Sequence, residues 1–213
     1  NPVNVTFPTD MQARSLSHGP SSLHMCAVMT DGSLYCWGYN LNGQIGDGTA
    51  CTSNSYLNGC NGDYDRPLPV EVSLPSGRTA TAVSTGYSHT CAILDDGSVW
   101  CWGLNSQGEL GVGNMSTSGT WQYSPTATLL PAGRTAIAIA SGYSHTCAVL
   151  DDNSMVCWGY NGNGQLGIGN TTSQSVPAYV LSALQFSSVA AGTDHTCATT
   201  TDNDAYCWGY NGQ

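Results

Sequence analysis

The stretch Gly142-Tyr143-Ser144-His145-Thr146-Cys147-Ala148, followed by an acidic turn at Asp151-Asp152-Asn153, by Cys157-Trp158-Gly159 and by residues 161–167, decides the architecture, because the chain repeats it. Its counterparts are His24-Met25-Cys26-Ala27 with Cys36-Trp37-Gly38, His89-Thr90-Cys91-Ala92 with Cys101-Trp102-Gly103, and His195-Thr196-Cys197-Ala198 with Cys207-Trp208-Gly209. The Asn-to-Gly tail recurs at 40–46 and 105–111. Successive marker histidines lie 65, 56 and 50 residues apart. A period near 50 residues is that of a propeller blade.

Working outward, short β-prone runs at 69–74 and 80–86 precede each pair of cysteine strands, which predicts four strands per repeat. The central hairpins fall near 23–39, 88–104, 144–160 and 194–210, within a single domain spanning 1–213. Residues 2–7 align without a gap on 69–74, so the start of the chain reads as the last strand of a blade. That strand would either complete the fourth repeat or belong to a preceding blade.

Composition agrees with an all-β, turn-rich protein: 40% of residues are apolar, only 8% are charged and 26 are glycine. Fourteen acidic residues against four arginines (Arg14, Arg66, Arg78, Arg134) leave a net charge of −10, and lysine is absent. Clustered cations for a phosphate backbone are missing, so no nucleic-acid partner is expected. No apolar run approaches the roughly 20 residues that span a bilayer. The opening Asn1-Pro2 reads as that of a mature product or of a piece of something longer.

The ten cysteines include no C-x-x-C pair, and nine residues separate the two members in each repeat. The turns at 30–32, 95–97, 151–153 and 201–203 end on Gly32, Gly97, Asn153 and Asn203, residue types that tolerate the left-handed third position of a three-residue hairpin loop. Counting outward from that loop sets Val28 opposite Leu34 and Cys26 opposite Cys36, on a non-hydrogen-bonded pair with a Cα separation of about 4.5 Å. The sequence thus predicts disulfides Cys26–Cys36, Cys91–Cys101, Cys147–Cys157 and Cys197–Cys207, with the leftover Cys51 and Cys60 pairing inside the insert 49–67. Zinc would need four converging ligands where His-x-Cys offers three per blade, and no spacing rule supports calcium near Asp47, Asp63 and Asp65, so no metal is expected. This cysteine usage points to an oxidising, secreted or cell-surface location.

The string Gly-x-x-His-Thr-Cys-Ala, acidic turn, Cys-Trp-Gly-x-Asn-x-x-Gly-Gln-Leu-Gly resembles the repeat of the regulator of chromosome condensation superfamily, in a secreted, cysteine-paired variety. The resemblance covers nearly the whole chain. It implies a β-propeller of four-stranded blades, as either part of a seven-bladed ring or a compact four-repeat module. The best-known member is a nuclear nucleotide-exchange factor that also binds chromatin; paired cysteines, the absence of lysine and the acidic balance separate this chain from it. Secreted bacterial members that inhibit β-lactamases through rim loops show that the scaffold can serve as a protein-binding surface.

An identical histidine in every repeat, at His89, His145 and His195, indicates a structural task such as hydrogen bonding to a neighbouring strand or blade. The Cys-Trp-Gly tryptophans read as wedges between blades. The Asp pairs at 95–96 and 151–152 are turn formers, and no local motif specifies a Ser/His/Asp constellation, so neither an enzyme nor a cofactor is expected. The sequons at Asn4, Asn114 and Asn170 mark candidate N-glycans, two of them in matching places of successive repeats. Inserts that exceed a repeat are where a propeller places a binding function. Tyr56, Tyr64 and Arg66 in the first insert, and Trp121 and Tyr123 in the second, are the candidate partner-binding residues. The expectation is a non-enzymatic extracellular scaffold, a structural or adhesive unit of a self-assembling fibre or surface assembly; the alternative is a soluble propeller that binds or inhibits a protein partner through its rim loops.

Overall fold

The computed structural model describes residues 5–8, 11–51, 64–116 and 121–212. Among the described residues, fifteen strands form four antiparallel sheets in chain order. Blade one holds β1 (Ala13–Ser17), β2 (His24–Met29), β3 (Leu34–Tyr39) and β4 (Asp65–Glu71). Blade two holds β5 (Ala80–Thr85), β6 (His89–Leu94), β7 (Val99–Gly103) and β8 (Gln122–Ala127). Blade three holds β9 (Ala136–Ser141), β10 (His145–Leu150), β11 (Met155–Gly159) and β12 (Gln174–Tyr179). Blade four has three strands, β13 (Phe186–Ala191), β14 (His195–Thr200) and β15 (Ala205–Gly209). Each blade packs on the next, with β1 against β5, β5 against β9 and β9 against β13. The described residues contain no helix.

The hairpin register follows the turn chemistry. Gly32, Gly97, Asn153 and Asn203 sit at φ of 82°, 75°, 63° and 69°, and Cys26, Cys91, Cys147 and Cys197 stand directly opposite Cys36, Cys101, Cys157 and Cys207. All four pairs are disulfides across a Cα separation of 4.1 Å. Cys51 is also disulfide-bonded; Cys60, its expected partner, lies outside the described residues. The turn aspartates act locally, as when Asp31 Oδ1 accepts from Ser33 N at 2.9 Å and from Ser33 Oγ at 2.6 Å.

Two expectations are corrected. The fourth strand of blade one runs Asp65–Glu71 rather than 69–74. A register shift between Cys36 and Gly38 moves the pairing toward the insert, and Val72 and Leu74 leave the sheet for the core between blades one and two. Of the proposed first strand, residues 5–7 form none. Phe7 instead packs edge-on against Tyr35 and Trp37, at 6.1 and 5.8 Å between ring centroids. It thereby holds against blade one the place that Leu74 holds against blade two.

The core lies between blades. One apolar cluster joins Val28, Leu34 and Ile45 of blade one to Ala92, Leu94 and Trp102 of blade two, and equivalent clusters centre on Trp158 and on Leu166 with Phe186. Polar clasps accompany them. His24 Nε2 lies 2.7 Å from Thr90 Oγ1, His89 Nε2 2.9 Å from Thr146 Oγ1, and His145 Nε2 2.9 Å from Thr196 Oγ1. Each threonine donates its hydroxyl hydrogen to a carbonyl of the preceding blade: Gln44 at 2.8 Å, Glu109 at 3.3 Å and Gln165 at 2.9 Å. The hydroxyl oxygen is thus left to accept from the histidine Nε2–H. The same three carbonyls accept from the indole N–H of Trp102, Trp158 and Trp208 at 2.9, 2.7 and 2.9 Å. Histidine, threonine and tryptophan of the repeat are therefore one interblade device.

Candidate functional site

In a four-stranded antiparallel blade the first and third connections emerge at one end and the central hairpin at the other. The two ends differ in their prevailing side chains, although Tyr179 and Tyr206 lie toward the hairpin end. The hairpin end carries Asp31, Asp95, Asp96, Asp151 and Asp152, with Arg78 and Arg134 ion-paired to Asp96 and Asp152 at 3.0 Å each. The opposite end carries tyrosines: Tyr39 and Tyr64 in blade one, Tyr87 in blade two, Tyr143 and Tyr160 in blade three and Tyr210 in blade four.

These rings make a track across the blades. Tyr39 and Tyr64 lie 6.2 Å apart, and Tyr87 stacks on Tyr143 with centroids at 4.2 Å and planes 12° apart. The underlying loops are tied in series, since Tyr87 N donates to Tyr143 O at 3.3 Å and Tyr143 N to Thr193 O at 3.2 Å. Burial, then the adjacent Tyr87, holds the Tyr143 hydroxyl above its ordinary pKa, so it remains a neutral donor. A cleft of about 340 Å³ opens beside Tyr143, lined by Gln107, Ser144, Tyr160, Thr193 and Asp194.

Beneath its wall lies Glu109, fully buried, where the other repeats have Gln44 and Gln165. Its Oε2 accepts from Gln107 N at 2.8 Å, as Gln44 and Gln165 accept from Asn42 N and Asn163 N at 2.9 and 3.0 Å. Burial pushes the carboxyl up to about 7. The folded state therefore holds a proton that the unfolded chain releases near its ordinary value, and stability falls as pH rises from about 4.5 to 7. Glu109→Gln restores the repeat's own amide. It should raise stability by about 3 kcal/mol at pH 8 and change little near pH 4.5. Denaturant midpoints of the two chains at both pH values check this; an equal gain at both would mean that ionisation is not the cause.

The sequence-derived candidates divide. Tyr64 joins the tyrosine track. Arg66, grouped with the partner-binding residues, is instead completely buried and binds Asp47 through Nε at 2.8 Å and Nη2 at 2.5 Å, with Thr49 also engaged. Asp47 is thereby committed to an arginine. Tyr123 is half-buried against the loop of blade one, its carbonyl accepting from Gly48 N at 2.9 Å, and Trp121 next to it is half-buried. Tyr56 and Asn4 lie outside the described residues. Asn114 and Asn170 are exposed, on connections at the tyrosine end.

Three features escaped the sequence reading. Asn40, Asn105 and Asn161 are loop staples, each accepting through Oδ1 from the backbone of Ile45, Leu110 or Leu166 at 3.0–3.1 Å. Glu109 could have been found as the one acidic replacement in its motif position. The tyrosines recur after Cys-Trp-Gly and before the marker histidine, but only the strand topology gathers them.

Family models described as regulator of chromosome condensation (RCC1) repeats match residues 31–93, 96–149 and 152–199, and in a second form 80–109, 136–165 and 186–213. The ultraviolet-B receptor UVR8 of Arabidopsis thaliana is 31% identical over 157 residues, covering 74% of this chain and 32% of that protein. The chain thus spans about a third of that relative's length. Prp20p of Saccharomyces cerevisiae, whose structure was described with its binding properties to Gsp1p and histones, superposes with TM-score 0.80 at 23% identity, over 97% of this chain and 47% of that one. The ectodomain of the receptor kinase CR4 of Physcomitrella patens superposes with TM-score 0.58 at 20% identity, over 95% and 42%. Both superpositions bear on the fold alone.

Proposed function

The chain belongs to the regulator of chromosome condensation (RCC1) repeat family, and on that premise we propose that it is a non-enzymatic, extracellular propeller segment that binds a protein partner through its tyrosine-rich end. The observation that carries this reading is the gathering of six half-buried or exposed tyrosines at one end of successive blades, with Tyr87 stacked on Tyr143 at 4.2 Å, against Tyr179 and Tyr206 toward the ion-paired hairpin end. Tyrosine offers large contact area at low entropy cost and is enriched at protein interfaces. A disulfide across the central hairpin of every blade supports the oxidising location, as do exposed sequon asparagines at Asn114 and Asn170. The family fold occurs in a receptor ectodomain as well as in Prp20p, which binds proteins. The same uniform stapling also suits a unit of a durable surface fibre, and this second reading predicts filaments of native material under the electron microscope.

Photo-crosslinking on the producing cells tests the binding reading. A benzoyl-phenylalanine at position 160 should give discrete protein adducts that a membrane-impermeant label also reaches, whereas one at position 152 on the hairpin end should give none. Adducts from both positions, or from neither, would remove the tyrosine end as the binding surface.

A further inference from the structure

We propose that the cleft between blades three and four receives a lysine or arginine side chain presented by the protein partner; this rests on the tyrosine end being the binding surface. Comparison among the repeats locates the site. At the place of Asp194 the earlier repeats have Leu23, Ser88 and Ser144, and at the place of Tyr160, where Tyr39 and Tyr210 are also tyrosines, blade two has Leu104. The repeat is otherwise conservative in its own interblade contacts, so Asp194, the one carboxylate at its repeat position, marks a place where the scaffold's needs do not choose the residue. Tyr160 supplies a second ring beside Tyr143 in the cleft lining, and Asp194 supplies a carboxylate whose contact from Gln165 Nε2 is long, at 3.4 Å.

A half-buried carboxylate beside two tyrosine rings is a receptor for a cation on an apolar stem. The stem lies along the rings, the charge meets ring face and carboxylate, and the Ser144 and Thr193 hydroxyls remain to accept the outer hydrogens. The volume of about 340 Å³ accommodates one such side chain. The long-range field agrees. With a net charge of −10 and no lysine, the chain offers few cations of its own. Arg66 is buried on Asp47, Arg78 and Arg134 are paired at the hairpin end, and Arg14 lies at the hairpin end of β1. Among the described residues the tyrosine end has no exposed arginine to fill the cleft from within, and an anionic partner would meet repulsion.

A displayed library of random dodecapeptides, panned on the disulfide-intact chain and on its Asp194→Asn and Tyr160→Ala variants, decides the question. Near-ultraviolet circular dichroism would establish that both variants keep the native fold. The expected result is enrichment of Lys- or Arg-bearing peptides on the parent chain, with affinity lower by about tenfold or more on Asp194→Asn. Neutral or acidic peptides that bind the parent and are lost on Tyr160→Ala would overturn the cationic inference while leaving the binding surface in place. Peptides that bind all three chains equally, or none enriched on any, would overturn both.

Discussion

Lowering the pH from 7 to 4.5 should destabilise this protein by several kcal/mol, through histidines that never ionise in the folded state. Burial depresses His24 and His89 to about 3 and His145 to about 4. Each takes a proton in the unfolded chain near 6.5. Above that pH neither state is protonated and there is no penalty; below it the unfolded state binds protons that the folded state refuses, and stability is lost as pH falls toward the folded values. By pH 4.5 the cost is about 3 kcal/mol per histidine, or about 8 for the three, against a typical total of 5–15 for a domain. Glu109 works in the opposite direction, recovering at most about 3 kcal/mol over the same range, so the histidines win. The denaturant midpoint measured every half pH unit should fall steeply below pH 6.5. Replacing His89 by Gln, whose amide can still donate to Thr146, should remove about half of that net fall. A flat profile between pH 7 and 4.5 would show that the clasps open to solvent.

Reduction should have an effect of similar size. Each central disulfide closes a short loop, with a sequence separation of 10. Loop-closure entropy assigns about 3 kcal/mol to such a loop, so the four together contribute on the order of 10 kcal/mol. That is comparable to the whole stability of a domain, and full reduction at neutral pH should unfold the chain. The order of loss is set by access. Cys26, Cys36, Cys91, Cys101, Cys147 and Cys157 have no exposed surface, whereas Cys207 is exposed and Cys197 half-buried. A thiol reductant should therefore open Cys197–Cys207 first in this 213-residue chain, with the other three following only as blades separate. Timed alkylation and peptide mapping would reveal that order; simultaneous loss of all four would mean that reduction follows global unfolding.

Both expectations rest on contacts between blades, and that is where sequence and structure part company. Hairpin register, disulfide pairing and the repeat itself were legible along the chain, because each depends on residues about ten positions apart whose geometry a three-residue turn fixes. Asn153 and Asn203 at positive φ and Cys147 opposite Cys157 are consequences of local stereochemistry alone. The recurrence of His, Thr and Trp likewise announced a shared structural task. The partners in that task were not legible, because Thr146 meets His89 and Trp158 meets the Glu109 carbonyl across a blade boundary that no local pattern encodes. The same holds for Arg66, whose charge suggested a surface role until the fold enclosed it with Asp47. The tyrosines are the clearest case. Tyr39, Tyr87, Tyr143 and Tyr160 occupy two different places in the repeat, and only antiparallel strand order brings the first and third connections to one end. The sequence by itself determined a repeated, stapled β-hairpin, since that needs nothing beyond short-range geometry. Only the tertiary structure decided which side chains meet between blades and which end gathers the tyrosines, because those contacts join residues some 50 positions apart.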